Sequence, residues 1–205
     1  MNDECGAPAF IVHHSAFIIL MSLPTSDLDT LLALFYDRPA ELAKFTAVAV
    51  QGMPFDDRRL LAHTEHMTVA MEEFHQSPVD VRVIDKRVTA THYAREILLS
   101  RQRDGAVVQY GIMRVNFDYL SPRVRDEIQS ERTPLGRVLI RHDVMRRVRL
   151  DGLWRVEPGT KLCEYMQLAR SQTTYGRTAM IECNGEPAIE LLEIVSPLET
   201  VTVNH

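Results

Sequence analysis

The stretch from Tyr175 to Pro197, YGRTAMIECNGEPAIELLEIVSP, constrains the fold more than any other part of the chain. An extended apolar run ends in Asn184-Gly185, the dipeptide best suited to the positive φ angles of a two-residue type I′ turn, so the stretch reads as a β-hairpin. Its second arm, Ala188 to Val195, is apolar apart from Glu190 and Glu193. Those two positions differ by an odd number and therefore point to opposite faces of a strand, one wet and one buried. A buried carboxylate is costly unless it is paired or protonated. The hairpin thus implies a sheet whose apolar face carries either a structural ion pair or a site.

Upstream of the hairpin the hydrophobic period changes from helical to alternating. Ser26 and Asp27 cap a predicted helix to about Tyr36, with Leu28, Leu31, Leu32 and Phe35 on one face; further helices are predicted over Ala40 to Val50 and Asp57 to Phe74. After Pro78 the pattern predicts strands over Val79 to Lys86, Thr89 to Ser100, Ala106 to Asp118 and Val144 to Val156, in addition to Tyr175 to Cys183 and Ala188 to Val195. Ser121-Pro122 and Thr133-Pro134 each open a short helix with proline at its favoured first position, to about Gln129 and His142. Lys161 to Arg170 reads as helix or loop. The expected class is α+β, a six-stranded antiparallel sheet with helices packed on one side. At 205 residues the whole chain, 1–205, is expected to form one domain with an N-terminal helical extension to about residue 56.

Charge and motifs narrow the function classes. A net charge of −5 weighs against a nucleic-acid partner, which requires a basic surface. The apolar run Ala9 to Leu23 follows an acidic start, Asp3 and Glu4, and is interrupted by His13 and His14, so neither a signal peptide nor a membrane span is expected. Cys5, Cys163 and Cys183 are odd in number and widely spaced; no disulfide framework or zinc site is expected, and a reducing cytoplasm fits. Phosphate-cradling, dinucleotide-binding and nucleophile-elbow motifs are absent. His63 and His66 are spaced for one helix face but lack a third ligand, so no metal is expected. In the strand YAREILLSRQRDG, Tyr93, Arg95, Ile97 and Leu99 share a face, which sets the Arg95 guanidinium among apolar neighbours and in need of an anion. That anion is either a buried acid such as Glu193, in a structural pair, or the carboxylate of a ligand.

The runs REILLSRQRDG, TPLGRVLI, YGR and PAIELLEIVSP, in that order, resemble chorismate pyruvate-lyase, a layout shared by the remoter chorismate-lyase-like families. The resemblance covers about Leu60 to Pro197. It implies a chorismate-lyase-like fold and a cofactor-free elimination of chorismate to 4-hydroxybenzoate and pyruvate. Arg95 and the backbone amides of Met67 and Leu135 would hold the ring carboxylate, Arg177 and Arg114 are candidates for the side-chain carboxylate, and Glu193 with Arg95 would form the catalytic pair. One residue more than the usual spacing separates Pro187 from Glu193, so a β-bulge is required to keep Glu193, rather than Glu190, facing inward. Two further readings follow: a diverged lyase or isomerase of secondary metabolism acting on a chorismate-like acid, and a non-catalytic domain that binds a small aromatic acid. The second has a parallel in the effector-sensing domains of some bacterial transcription regulators, which share this layout. In each reading the partner is a small-molecule carboxylate.

Overall fold

The structure is a computed structural model and describes residues 25–198. Cys5, Asp3, Glu4 and the run Ala9 to Leu23 with its two histidines lie outside the described residues. Seven strands form one antiparallel sheet in the order β1-β5-β6-β7-β4-β3-β2. Strands β2 (Val79–Val88), β3 (His92–Arg101) and β4 (Val107–Asn116) make one meander, and β5 (Arg146–Pro158), β6 (Thr174–Cys183) and β7 (Glu186–Val195) make another. The two meet where β4 pairs with β7. The α+β class expected from the sequence is the class observed, with one more strand than the six expected.

That extra strand corrects a predicted helix. Ala43–Ala47 (β1) is extended and pairs with the end of β5, Ala43 opposite Pro158 and Ala47 opposite Trp154. Its Lys44, Thr46 and Ala47 remain exposed or part-exposed, as suits a short edge strand. The first predicted helix is present but shorter: α1 runs Leu28–Ala33, with the Asp27 carboxylate accepting from the Thr30 amide at 3.1 Å. The long helix predicted over Asp57 to Phe74 is two, α2 (Phe55–Leu61) and α3 (Met67–His75), separated by an irregular segment. Helices α4 (Pro122–Gln129) and α5 (Leu135–Arg141) link the two meanders, and α6 (Thr160–Tyr165) follows β5.

The turn at Asn184-Gly185 has φ of 55° and 87°, the positive pair that a type I′ hairpin demands. The required bulge is also present. Ile181 lies opposite Ile189 but Glu182 opposite Pro187, so β7 carries one additional residue at Ala188. From Ile189 onward the strand is in regular register with both neighbours, and Glu193 faces inward while Glu190 lies on the opposite face, paired with Arg114.

Both faces of the sheet are covered. Helices α2 to α5 pack on one face, over two apolar clusters: one around Val115, Ile128, Leu139 and Ile189, the other around Leu60, Met71, Leu99 and Val195. Helices α1 and α6 cover β4 and β7 from the other side, against Leu98, Tyr110, Ile112 and Leu192. Among the described residues no helix is long and apolar enough to cross a membrane. Cys163 and Cys183 are both free thiols.

Candidate functional site

The two clusters under α2 to α5 do not fuse. Between them lies a cavity of about 50 Å³, floored by the centre of the sheet and roofed by the α2–α3 segment and the start of α5. Pairing across the strands arranges its floor in three rows. Arg95, Met113 and Leu191 make the first, Ile97, Gly111, Glu193 and Arg177 the second, and Leu99 and Gln109 the third. Gly111 leaves the middle of the floor without a side chain: a Cβ there would stand 3.5 Å from Ile97 and 3.3 Å from the Leu192 carbonyl oxygen.

Glu193 and Arg177 are neighbours across β6 and β7, and they form the ion pair of the site. Arg177 is 1% exposed; its Nε donates to Glu193 Oε2 at 2.7 Å, and its two terminal nitrogens donate to the carbonyl oxygens of His63 at 3.0 Å and Glu65 at 3.3 Å. The guanidinium thereby satisfies two carbonyls of the irregular segment between α2 and α3, and it fastens the roof to the floor. The expected pair Arg95–Glu193 is not formed. β3 and β7 are separated by β4, roughly two strand spacings of about 4.8 Å, so Glu193 takes the arginine of the adjacent strand instead.

Arg95 is also 1% exposed and has no carboxylate partner among the described residues. One terminal nitrogen donates to the Ile128 carbonyl oxygen at 3.3 Å and the Tyr93 hydroxyl is a further hydrogen-bond partner, while the Arg95 Nε donates to nothing. Burial is the main influence on the guanidinium and pushes its pKa down, against the opposing pull of Tyr93 and Glu131. Glu131 is itself occupied: it accepts from Lys86 at 2.6 Å and from the Tyr93 hydroxyl at 3.0 Å.

Met67 and Leu135 are the first residues of α3 and α5, where backbone N–H groups have no intrahelical acceptor. Both line the cavity. The two helix starts approach closely because Gly136 has no side chain; a Cβ would meet Thr68 Oγ1 at 3.0 Å and His66 Cβ at 3.2 Å. This is the physical content of the glycine in TPLG. Arg95, Met67, Leu135, Arg177 and Glu193 are thus brought together, whereas Arg114 is not: it lies on the opposite face of the sheet in its pair with Glu190. Gln109 is a residue of this cavity that the motif reading missed. Its signal was present in the alternation of β4, as the one polar side chain facing inward beside Gly111, Met113 and Val115.

The two roof histidines are engaged by the protein rather than spaced on a helix face. His63 Nε2 bonds the Leu60 carbonyl oxygen at 2.6 Å while its Nδ1 accepts from the Glu65 amide at 3.1 Å, which assigns the proton to Nε2. His66 is hydrogen-bonded to Arg146. Burial, then Arg146 and Arg177, hold His66 down at about 4 against an ordinary 6.5. Between those two values the unfolded chain binds a proton that the folded protein does not, so stability is expected to fall as pH drops through that window. His75, also held at about 4 by burial and two arginines, acts in the same sense; Asp57, pushed up to about 6 by burial, acts in the opposite one. Thermal midpoints measured across the window should show a smaller slope for His66→Gln than for the parent. An unchanged slope would mean that His66 does not titrate as its surroundings imply.

No protein-family profile matches the chain, and no curated protein matches it in sequence. Solved structures do align with it. PhnF from Mycobacterium smegmatis is 10% identical, with 65% of this chain and 64% of that one covered and a TM-score of 0.48. The effector domain of the same protein is 11% identical, over 64% of this chain and 88% of that one, again at 0.48. A possible transcriptional regulator, YydK from Bacillus subtilis subsp. subtilis str. 168, is 11% identical over 58% and 57%, at 0.42. The chain therefore spans less than two thirds of PhnF and of YydK. The expected absence of a nucleic-acid partner is not supported. The expected chorismate pyruvate-lyase activity is corrected as well: among the aligned structures one is described as a possible transcriptional regulator and one as an effector domain, and Glu193, the expected acid, is held by Arg177 as a hydrogen-bond acceptor. What stands is an antiparallel α+β fold with a largely apolar cavity, holding the buried Arg95 and the Arg177–Glu193 pair, over the junction of its two meanders.

Proposed function

We propose that this domain binds a small organic carboxylate in the cavity over β3, β4 and β7, and that it senses this ligand rather than transforming it. The observation that carries the reading is Arg95: a guanidinium almost fully removed from water, aimed into a cavity, with an unused Nε and no carboxylate in ion-pair contact among the described residues. Burying a charge in that state is unfavourable unless an anion arrives to share it. The planar fork of arginine suits a carboxylate in particular, through two parallel hydrogen bonds. The amides of Met67 and Leu135 supply further donors from the roof, with the positive ends of two helices behind them.

The apolar walls, among them Ile97, Met113, Val148, Ile181 and Leu191, suit an unsaturated or aromatic body behind the acid group. A cavity that holds benzene measures about 150 Å³. At about 50 Å³ the present cavity must widen to admit a ring, so binding and a change of shape are coupled. That coupling is what a sensing domain needs, and it supports regulation over catalysis.

Benzoate is the simplest probe. Titration calorimetry should detect its binding to the parent, and Arg95→Lys, which keeps the charge and loses the fork, should weaken it by about 1.5 to 3 kcal/mol, roughly ten- to a hundredfold. Equal affinity in the two proteins would remove Arg95 from the role assigned to it.

A further inference from the structure

Three buried side-chain atoms among the described residues lack any hydrogen-bond partner: His75 Nε2, Arg95 Nε and Gln109 Oε1. Two of the three belong to one cavity. Gln109 is 2% exposed, and its neighbours across the sheet are Leu99 and Val195, so nothing in its own row can donate to it from a side chain. An amide oxygen left unsatisfied in such a place is destabilising, and a leucine would sit there without that penalty.

The row arrangement gives the pair a direction. Arg95 lies in the first row and Gln109 in the third, on adjacent strands and on the same face, so their backbones are about 13 Å apart along the strand axis. The middle row between them is where Gly111 leaves the floor open and where the Glu193 carboxylate adds a second acceptor. One end of the cavity therefore carries the Arg95 donors, and the other the Gln109 carboxamide, whose oxygen is an unpaired acceptor. We infer that Gln109 reads the end of the ligand remote from its acid group, and that the ligand is a carboxylate bearing a hydroxyl or other hydrogen-bond donor at that far end. This rests on the carboxylate-binding reading of the same cavity and goes beyond it by setting what the rest of the molecule must carry.

The test uses two acids of nearly the same shape, para-(hydroxymethyl)benzoate and para-ethylbenzoate, titrated by calorimetry into the parent, Gln109→Leu and Gln109→Met. The parent should prefer the hydroxymethyl acid about tenfold, and both variants should lose or reverse that preference while binding benzoate within about threefold of the parent. Because an unsatisfied amide is removed, both variants should also unfold no more easily than the parent. If the parent binds both acids equally, or if the preference survives in the variants, Gln109 is not the reader, although the cavity still binds carboxylates. A fall of several degrees in the melting temperature of both variants would show that Gln109 makes a structural bond, and would overturn the inference in the same way. If neither acid nor benzoate binds, the carboxylate reading fails and this inference with it.

Discussion

Arg177→Met is expected to destabilise the domain by about 3 to 5 kcal/mol, the range found when one partner of a buried ion pair is removed. The guanidinium is 1% exposed, and its loss strands the Glu193 carboxylate and the carbonyls of His63 and Glu65 together. For a chain of this size that corresponds to a drop in melting temperature of roughly 10 °C. The double variant Arg177→Met with Glu193→Leu should recover a large part of the loss, because no charge is then buried alone. Arg95→Met offers the contrast: it removes a cation with no carboxylate partner and should leave the melting temperature unchanged or higher. Thermal denaturation of the four proteins decides the matter. A single Arg177→Met variant melting within a degree or two of the parent would show that the pair does not hold the roof in place.

The second large effect is on binding. Gly111→Val places three carbon atoms on the open middle of the floor, in a cavity of about 50 Å³. The backbone can accept a side chain there, since the contacts of a Cβ begin at 3.3 Å and require shifts of only a few tenths of an ångström. Benzoate affinity should fall about a hundredfold or more, close to 3 kcal/mol, as the ring must compete with a fixed side chain for the same space. The melting temperature should change by only a few degrees. Undiminished benzoate binding in this variant would place the ligand elsewhere.

The parts of the fold that were legible in the sequence are those fixed by neighbours along the chain. The hairpin at Asn184-Gly185, the helices opened by Pro122 and Pro134, and the inward face of Arg95 all follow from turn chemistry or strand alternation. The misread parts depend on contacts distant in sequence. Ala43–Ala47 has spacing and composition that suit a helix, and only pairing with the end of β5 makes it a strand. The break between α2 and α3 contains neither glycine nor proline; it is held open by Arg177, which lies 112 to 114 residues further along the chain. The partner of Glu193 was misassigned for a related reason. Alternation tells which face a residue occupies but not which strands are adjacent, and the order β6-β7-β4-β3 sets Arg177, not Arg95, beside it. Arg114 was excluded by alternation itself, since it differs by an odd number from Met113 on the cavity face.

The bulge at Ala188 separates two stretches of one strand that would otherwise have to vary together. Residues 186–187 keep step with the turn, and residues 189–195 keep step with β4 and β6, with the additional residue absorbed between them. A chain that loses this single residue exchanges the bulge for regular pairing, and every side chain from Ile189 to Val195 stays on its face. An insertion or deletion between Ile189 and Glu193 would turn Glu193 out of the cavity and bring an aliphatic neighbour in. Length change in this hairpin is therefore tolerable on the turn side of Ile189 and disruptive between Ile189 and Glu193, so divergent relatives should differ in length between Cys183 and Ile189 and agree in spacing from there to Glu193.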